Sequence, residues 1–191
     1  MTTALLLPPS TPACDDRAVG RAVGRVLIAS GLCFGSANMV QWSVMSGLAP
    51  LHRGVLGISW LIAVGVFITV LMRLRGSSAP GASRAAGWSR LAVLALATSV
   101  LGLAAISAVQ RDWSLMRWAS CISPCLYGLA WAIASVRGAG PMAAVFAAAA
   151  FAAVAAVGLL LGTPAQYLAA ACGLALFALL PGLWLSRAGR F

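Results

Sequence analysis

The chain has 191 residues, of which 62% are hydrophobic and only 8% carry a charge. A soluble domain carries about 25% charged residues, so this composition excludes a water-soluble globular fold. The formal charge of +10 does not indicate nucleic-acid binding, because a nucleic-acid surface gathers its basic residues on one folded face. Every basic residue except His52 is an arginine, and the arginines stand at the ends of apolar runs.

Residues 1–24 are predicted to form an uncleaved cytoplasmic tail rather than a secretory signal. A cleavable signal has a basic start followed by about 7–15 apolar residues. Here the apolar run 4–7 is shorter than that, and Pro8 and Pro9 follow it directly. Residues 188–191 are predicted to form a second, very short cytoplasmic end.

Residues 25–187 are predicted to form one all-α integral membrane domain, a bundle of six transmembrane helices. A helix that rises about 1.5 Å per residue needs about 20 residues to cross a hydrocarbon core of about 30 Å. An arginine at mid-membrane costs about 2.5–3.5 kcal/mol, so a span is expected to be free of charge. The predicted charge-free spans are 26–46, 54–72, 91–110, 118–136, 141–161 and 164–186.

The arginine distribution predicts three helical hairpins in an N-in/C-in orientation. Six spans place both termini on one side of the membrane, and cytoplasmic segments are the ones enriched in basic residues. Of the 13 arginines, ten then fall on the side of the termini and three on the other. The ten are Arg17, Arg21, Arg25, Arg73, Arg75, Arg84, Arg90, Arg137, Arg187 and Arg190; the three are Arg53, Arg111 and Arg117. The predicted location is the plasma (inner) membrane, with both termini in the cytoplasm.

Small residues predict where the helices approach each other closely. Lipid tails are as apolar as leucine, so membrane helices associate through close packing rather than through hydrophobicity. Gly31 and Gly35 form a GxxxG step in the first span, and Gly128 and Gly173 are candidates in the fourth and sixth. Packing within the monomer and docking of a protein partner or a second copy through the first span are both open. Pro181, inside the sixth span, removes a backbone donor.

The most polar intramembrane feature is in the first span, where Asn38 and Gln41 share a helix face beside Trp42. An amide in hydrocarbon costs several kcal/mol unless it is paired. One interpretation is an outward-facing polar and aromatic pocket for a small solute. The other is interhelical hydrogen bonding, worth about 0.6 kcal/mol per pair. The predicted ligand-binding residues are Asn38, Gln41, Trp42, Trp60, Trp118, Gln166 and Tyr167.

The side chains do not form a catalytic set, and no enzyme activity is predicted. The acidic residues are Asp15, Asp16 and Asp112, all in polar segments. The single histidine, His52, lies at a predicted membrane edge. Cys121 and Cys125 are four residues apart on one helix face and are weak candidates for a soft metal ion, but a complete site needs further ligands. No cofactor and no metal site are therefore predicted.

Two functions remain open. The first is a polytopic membrane protein without catalytic machinery, a sensor or accessory subunit that acts in the lipid bilayer through helix–helix or partner contacts. The alternative is a component for binding or transport of a small solute. In size, six spans and N-in/C-in topology the chain resembles the substrate-capture subunits of energy-coupling-factor vitamin transporters. Gly31 and Gly35 are similar to the small-residue docking face of those subunits, and this resemblance of architecture implies solute capture.

Overall fold

The computed structural model of the protein describes residues 12–52, 54–76 and 82–188, and all regular secondary structure in these ranges is helical. Six helices are long and apolar enough to cross a membrane. This confirms the predicted all-helical fold with six helices of membrane-spanning length. The first part of the predicted tail, 1–11, the predicted span boundary at Arg53 and most of the predicted cytoplasmic end, 189–191, lie outside the described residues.

The helices end close to most of the predicted span boundaries. They are α1 Pro12–Met45, α2 Gly54–Gly76, α3 Ala82–Gln110, α4 Ala119–Val136, α5 Pro141–Leu159, α6 Ala165–Leu174 and α7 Leu180–Ala188. A 3₁₀ turn, Trp113–Trp118, precedes α4, and a π-helical segment, Ala175–Leu179, joins α6 to α7 within one span. α1 and α3 begin well before the predicted spans, because arginine and alanine are strong helix formers. An arginine therefore marks the end of the apolar run without ending the helix.

α1 lies at the centre of the bundle, where it contacts α2, α3, α6 and α7. α4 and α5 pack against each other along their lengths, and α6 and the π segment contact both this pair and α1. The main core lies where these elements meet and includes Phe34 of α1, Phe67 of α2, Leu174 of α6 and Phe177 of the π segment.

α5 presents a face of small side chains to its neighbours. Its buried residues recur every three or four positions, which places them on one helix face against α4 and α6. They are Ala143, Ala147, Ala150, Ala153 and Val157. Because most of these side chains are single methyl groups, the helix axes can approach closely.

The π segment and Pro181 shape the sixth span. Pro181 has no amide N–H and cannot donate to the carbonyl of Phe177, four residues earlier. The amide of Leu180 donates to the carbonyl of Ala175, five residues earlier, which is the bond of a π turn. The Phe177 carbonyl accepts a hydrogen bond from the buried indole of Trp131 in α4, with Nε1 and O 2.9 Å apart. A neighbouring helix thus satisfies the backbone group that the proline leaves free.

Candidate functional site

Asn38, the centre of the predicted pocket, is paired within its own helix. It is buried in α1 with 5% of its surface exposed. Its Nδ2 donates to the backbone carbonyl of Phe34 at 2.8 Å. Gln41 and Trp42, one turn further along α1, are half-buried. The hydrogen bond satisfies a donor of Asn38 without a ligand.

Trp60 belongs to an aromatic cluster that joins α1 to α2. Its ring stacks on Phe34 with ring centroids 5.8 Å apart and an interplanar angle of 28°. Phe34 also meets the edge of Phe67, with centroids 5.2 Å apart. Such aromatic pairs contribute about 0.5–1.5 kcal/mol beyond their burial. The contacts of Trp60 therefore have a packing role in this structure.

Gln166 holds the turn between α5 and α6. It is 2% exposed, and its Oε1 accepts a hydrogen bond from the amide of Gly162 at 2.8 Å. Gly162 has a φ of 85°, which favours glycine, and the guanidinium of Arg117 lies over it. Tyr167 is half-buried, and Trp118, at the end of the 3₁₀ turn, is 52% exposed. The acceptor of Gln166 is thus used by the protein's own backbone.

Two hollows on the surface of the described residues have volumes of about 320 and 240 Å³, and none of the seven predicted ligand-binding residues lines either of them. The larger hollow lies between α1 and α6. Its walls include Gly31, Gly35, Ala171, Cys172 and Ala175. We call it the α1–α6 hollow.

Three of the four predicted packing glycines lie against another element. A methyl group on Gly31 would lie 3.1 Å from the backbone and Cβ of Leu179 in the π segment. Gly128 and Gly173 both face α5, where a methyl group would lie 3.0 and 2.8 Å from a side chain. Gly35 has no heavy atom within 4 Å of the place a Cβ would take and borders the α1–α6 hollow.

The closest helix contact involves two glycines that the sequence reasoning missed. A methyl group on Gly24 would lie 2.7 Å from the amide nitrogen of Ser186. One on Gly182 would lie 2.8 Å from the amide nitrogen of Ile28. The backbones of α1 and α7 are therefore in direct contact. A signal was present, since Gly24 precedes Gly31 by seven residues and so lies on nearly the same helix face.

A polar pair joins α4 to α1. The hydroxyl of Tyr127 donates to Ser30 Oγ, and the Ser30 hydroxyl donates to the carbonyl of Leu27 at 2.9 Å. By contrast, the hydroxyl of Ser107 in α3 is buried and has no hydrogen-bond partner within the described part of the chain. The buried hydroxyl groups between α1 and α4 are thus hydrogen-bonded to each other, whereas the buried hydroxyl of α3 has no such partner among the described residues.

The cysteines of α4 lie one turn apart, with Cys121 buried and Cys125 half-buried. Within residues 12–52, 54–76 and 82–188, no group of three or more His, Cys, Asp or Glu side chains is placed to hold a metal ion. A metal site at these two thiols would need further ligands, and the described part of the chain places no third His, Cys, Asp or Glu beside them.

Comparison with protein-family models, with curated proteins and with solved structures finds no match for this chain. The fold itself defines a class, an all-helical multi-pass membrane protein with six apolar helices. Any narrower function has to be argued from its surfaces.

Proposed function

We propose that the protein is a non-catalytic accessory subunit of the plasma (inner) membrane, inserted N-in/C-in, and that it contacts a partner membrane protein through α3. Unequal burial is the observation that carries this proposal. Only 6% of the apolar window of α3 is buried inside the protein, against 50% for the span formed by α6, the π segment and α7. A helix with so small a buried share retains most of its surface for a neighbour.

The outer face of α3 has the spacing of a helix-packing seam. Much of α3 is exposed, and five of its exposed residues follow one another at alternating steps of three and four, the pattern that seats side chains between those of a facing helix. They are Leu91, Leu94, Thr98, Leu101 and Ala105. Thr98 places a hydroxyl near the middle of the span, where an interhelical hydrogen bond is worth about 0.6 kcal/mol. This combination supports a helical partner for α3.

Solute capture receives less support from the geometry. The amide donor of Asn38 and the acceptor of Gln166, two of the polar groups expected to hold a solute, are bonded to backbone atoms. A ligand would have to replace those bonds. The accessory role is therefore the function we favour.

Photo-crosslinking in the source membrane tests the accessory role. A photoreactive residue in place of Leu101, on the α3 seam, is expected to give one discrete protein adduct. The same residue in place of Val145, which is exposed on α5, is the matched control and should give none. Equal labelling at both positions, or an adduct with the mass of two copies of the 19.4 kDa chain, would contradict a partner subunit at α3.

A further inference from the structure

An arginine stripe runs along the first turns of α1. Arg17, Arg21 and Arg25 are exposed and follow one another at steps of four residues, so they share a helix face and are spaced about 6 Å apart along the axis. Asp15 and Asp16 directly precede the stripe, and the chain has three acidic residues against 13 arginines. The arginines of this segment outnumber its acidic residues, and this excess positive charge favours an anionic partner.

α7 brings a fourth arginine to the same level. The backbones of Gly24 and Ser186 are in contact, since a methyl group on Gly24 would lie 2.7 Å from the Ser186 amide nitrogen. Arg187 follows Ser186 and is exposed. Because α7 runs antiparallel to α1, the backbone of Arg187 lies at a level between Arg21 and Arg25. We define the basic cluster as Arg17, Arg21, Arg25 and Arg187.

The length of α1 places the basic cluster in the headgroup layer. α1 has 34 residues, which makes it about 51 Å long, whereas the hydrocarbon core is about 30 Å thick and about 40–45 Å with both headgroup layers. The apolar part of α1 begins at Val26. Arg25 then lies at the edge of the core, and Arg21 and Arg17 lie progressively further out. Guanidinium groups in this layer meet lipid phosphates, which they can bind with two hydrogen bonds.

The α1–α6 hollow continues the same face of α1 towards the middle of the membrane. Its first wall residue on α1, Gly31, lies about 9 Å along the axis from Arg25. Leu32 and Met39, which also line the hollow, are exposed. An acyl chain that descends from a headgroup at the basic cluster therefore reaches the hollow without leaving the surface of the protein.

We propose that the basic cluster and the α1–α6 hollow form one binding site for an anionic phospholipid. Its phosphate binds to Arg21, Arg25 and Arg187, and one acyl chain fills the hollow. A second copy of the chain fits this face less well, because two copies in one membrane have the same orientation. Contact through Gly31 and Gly35 would bring the two basic clusters together, and like charges repel.

Native mass spectrometry of the full chain in detergent tests the headgroup contact. The probes are phosphatidylglycerol and phosphatidylcholine with identical acyl chains. The wild type is expected to bind phosphatidylglycerol more tightly, and Arg21→Gln with Arg25→Gln to weaken that binding about 25-fold, since each basic residue contributes about fivefold. Binding of phosphatidylcholine should weaken less, because the choline cation offsets the charge of its phosphate. Equal binding of the two lipids by the wild type, or no loss in the arginine variant, overturns the proposal.

A substitution that keeps every charge tests the acyl-chain contact. Gly35→Leu would extend into the hollow, and Gly57→Leu on α2 is the matched control, because no heavy atom lies within 4 Å of a Cβ at either position. Gly35→Leu is expected to weaken phosphatidylglycerol binding about threefold, because its side chain displaces a few acyl carbons from van der Waals contact with the walls, and Gly57→Leu to leave it unchanged. Equal binding by the two variants overturns the proposal. A wild-type dimer that Gly35→Leu disrupts also overturns it, because the occupant of the hollow would then be a second copy of the chain. Neither result depends on a partner at α3.

Discussion

The third and sixth spans have almost the same hydropathy, yet 6% of one apolar window and 50% of the other are buried inside the protein. Hydrophobicity therefore does not decide which helix is central. α3 has Gly102 on an open surface, with no heavy atom within 4 Å of a Cβ position. The sixth span has Gly173 and Gly182 in contact with neighbouring helices. In a lipid solvent, close backbone approach at such residues distinguishes an inner helix from an outer one.

The largest expected effect comes from filling a glycine contact on the packed side. Gly24→Leu is expected to lower the free energy of unfolding by about 3 kcal/mol, because even its Cβ would meet backbone atoms of α7. Gly102→Leu on α3 should change it by less than about 0.5 kcal/mol. Unfolding in mixed detergent and dodecyl sulfate micelles measures both. Equal destabilisation would remove the distinction between the two spans.

The second effect concerns the carbonyl that Pro181 leaves free. Trp131→Phe is expected to cost about 2 kcal/mol, since it removes the indole donor from the Phe177 carbonyl. Adding Pro181→Ala supplies a backbone N–H four residues after Phe177 and should recover part of the loss. Trp118→Phe, at an exposed position, is the control and should be near neutral. A Trp131→Phe variant as stable as this control would show that the indole bond contributes nothing.

A smaller effect is expected at the polar pair that joins α4 to α1. Tyr127→Phe removes the hydroxyl that donates to Ser30, and bonds of this kind between membrane helices average about 0.6 kcal/mol. A double-mutant cycle with Ser30→Ala isolates the pair, and its coupling energy should be close to that value. If the effects of the two substitutions on the free energy of unfolding are strictly additive, the hydrogen bond between Tyr127 and Ser30 does not contribute directly to stability.

The smallest effect is a pH dependence at the 3₁₀ turn outside the packed core. Hydrogen bonds from the side chain and then the amide of Ser114 lower the pKa of the exposed Asp112 carboxyl below its usual value of 3.8. Because the folded-state pKa is lowered, this contribution is fully present above pH 3.8 and is lost as the pH falls through the folded-state pKa. The difference in unfolding midpoint between wild type and Asp112→Asn should therefore shrink on acidification below pH 3.8. A difference that does not change with pH would show that the hydrogen bonds from Ser114 to the Asp112 carboxylate do not contribute to stability.

The sequence allowed the number of spans and most of their ends to be predicted, because a charged residue is excluded from hydrocarbon whatever its neighbours are. It did not reveal which helices pair. Gly24 was overlooked because Arg25 marked the start of the first predicted span. The helix begins earlier, at Pro12, and its contact with α7 lies on the N-terminal side of that arginine. Orientation in the membrane stays a prediction.

The candidate pocket shows a second limit of the sequence. Asn38 and Gln166 were recognised as amides that need partners, and both have partners in the fold. Those partners are backbone groups, which every residue carries, so no pattern in the sequence indicates them. The missing amide of Pro181 was predictable, whereas its compensation by Trp131 depends on how α4 packs against the sixth span.

The face of small side chains on α5 also bears on how the chain is inserted during synthesis. An alanine offers a single carbon where a leucine offers four, at about 0.8 kcal/mol per methylene, so α5 gains less from lipid than a leucine-rich segment of equal length. Its turn to α4 is tight, with φ values of 87° and 89° at Gly138 and Gly140. We expect α5 to leave the translocon together with α4. Glycosylation mapping should show higher insertion efficiency for α5 behind α4 than alone, and equal efficiencies would mean that it inserts independently.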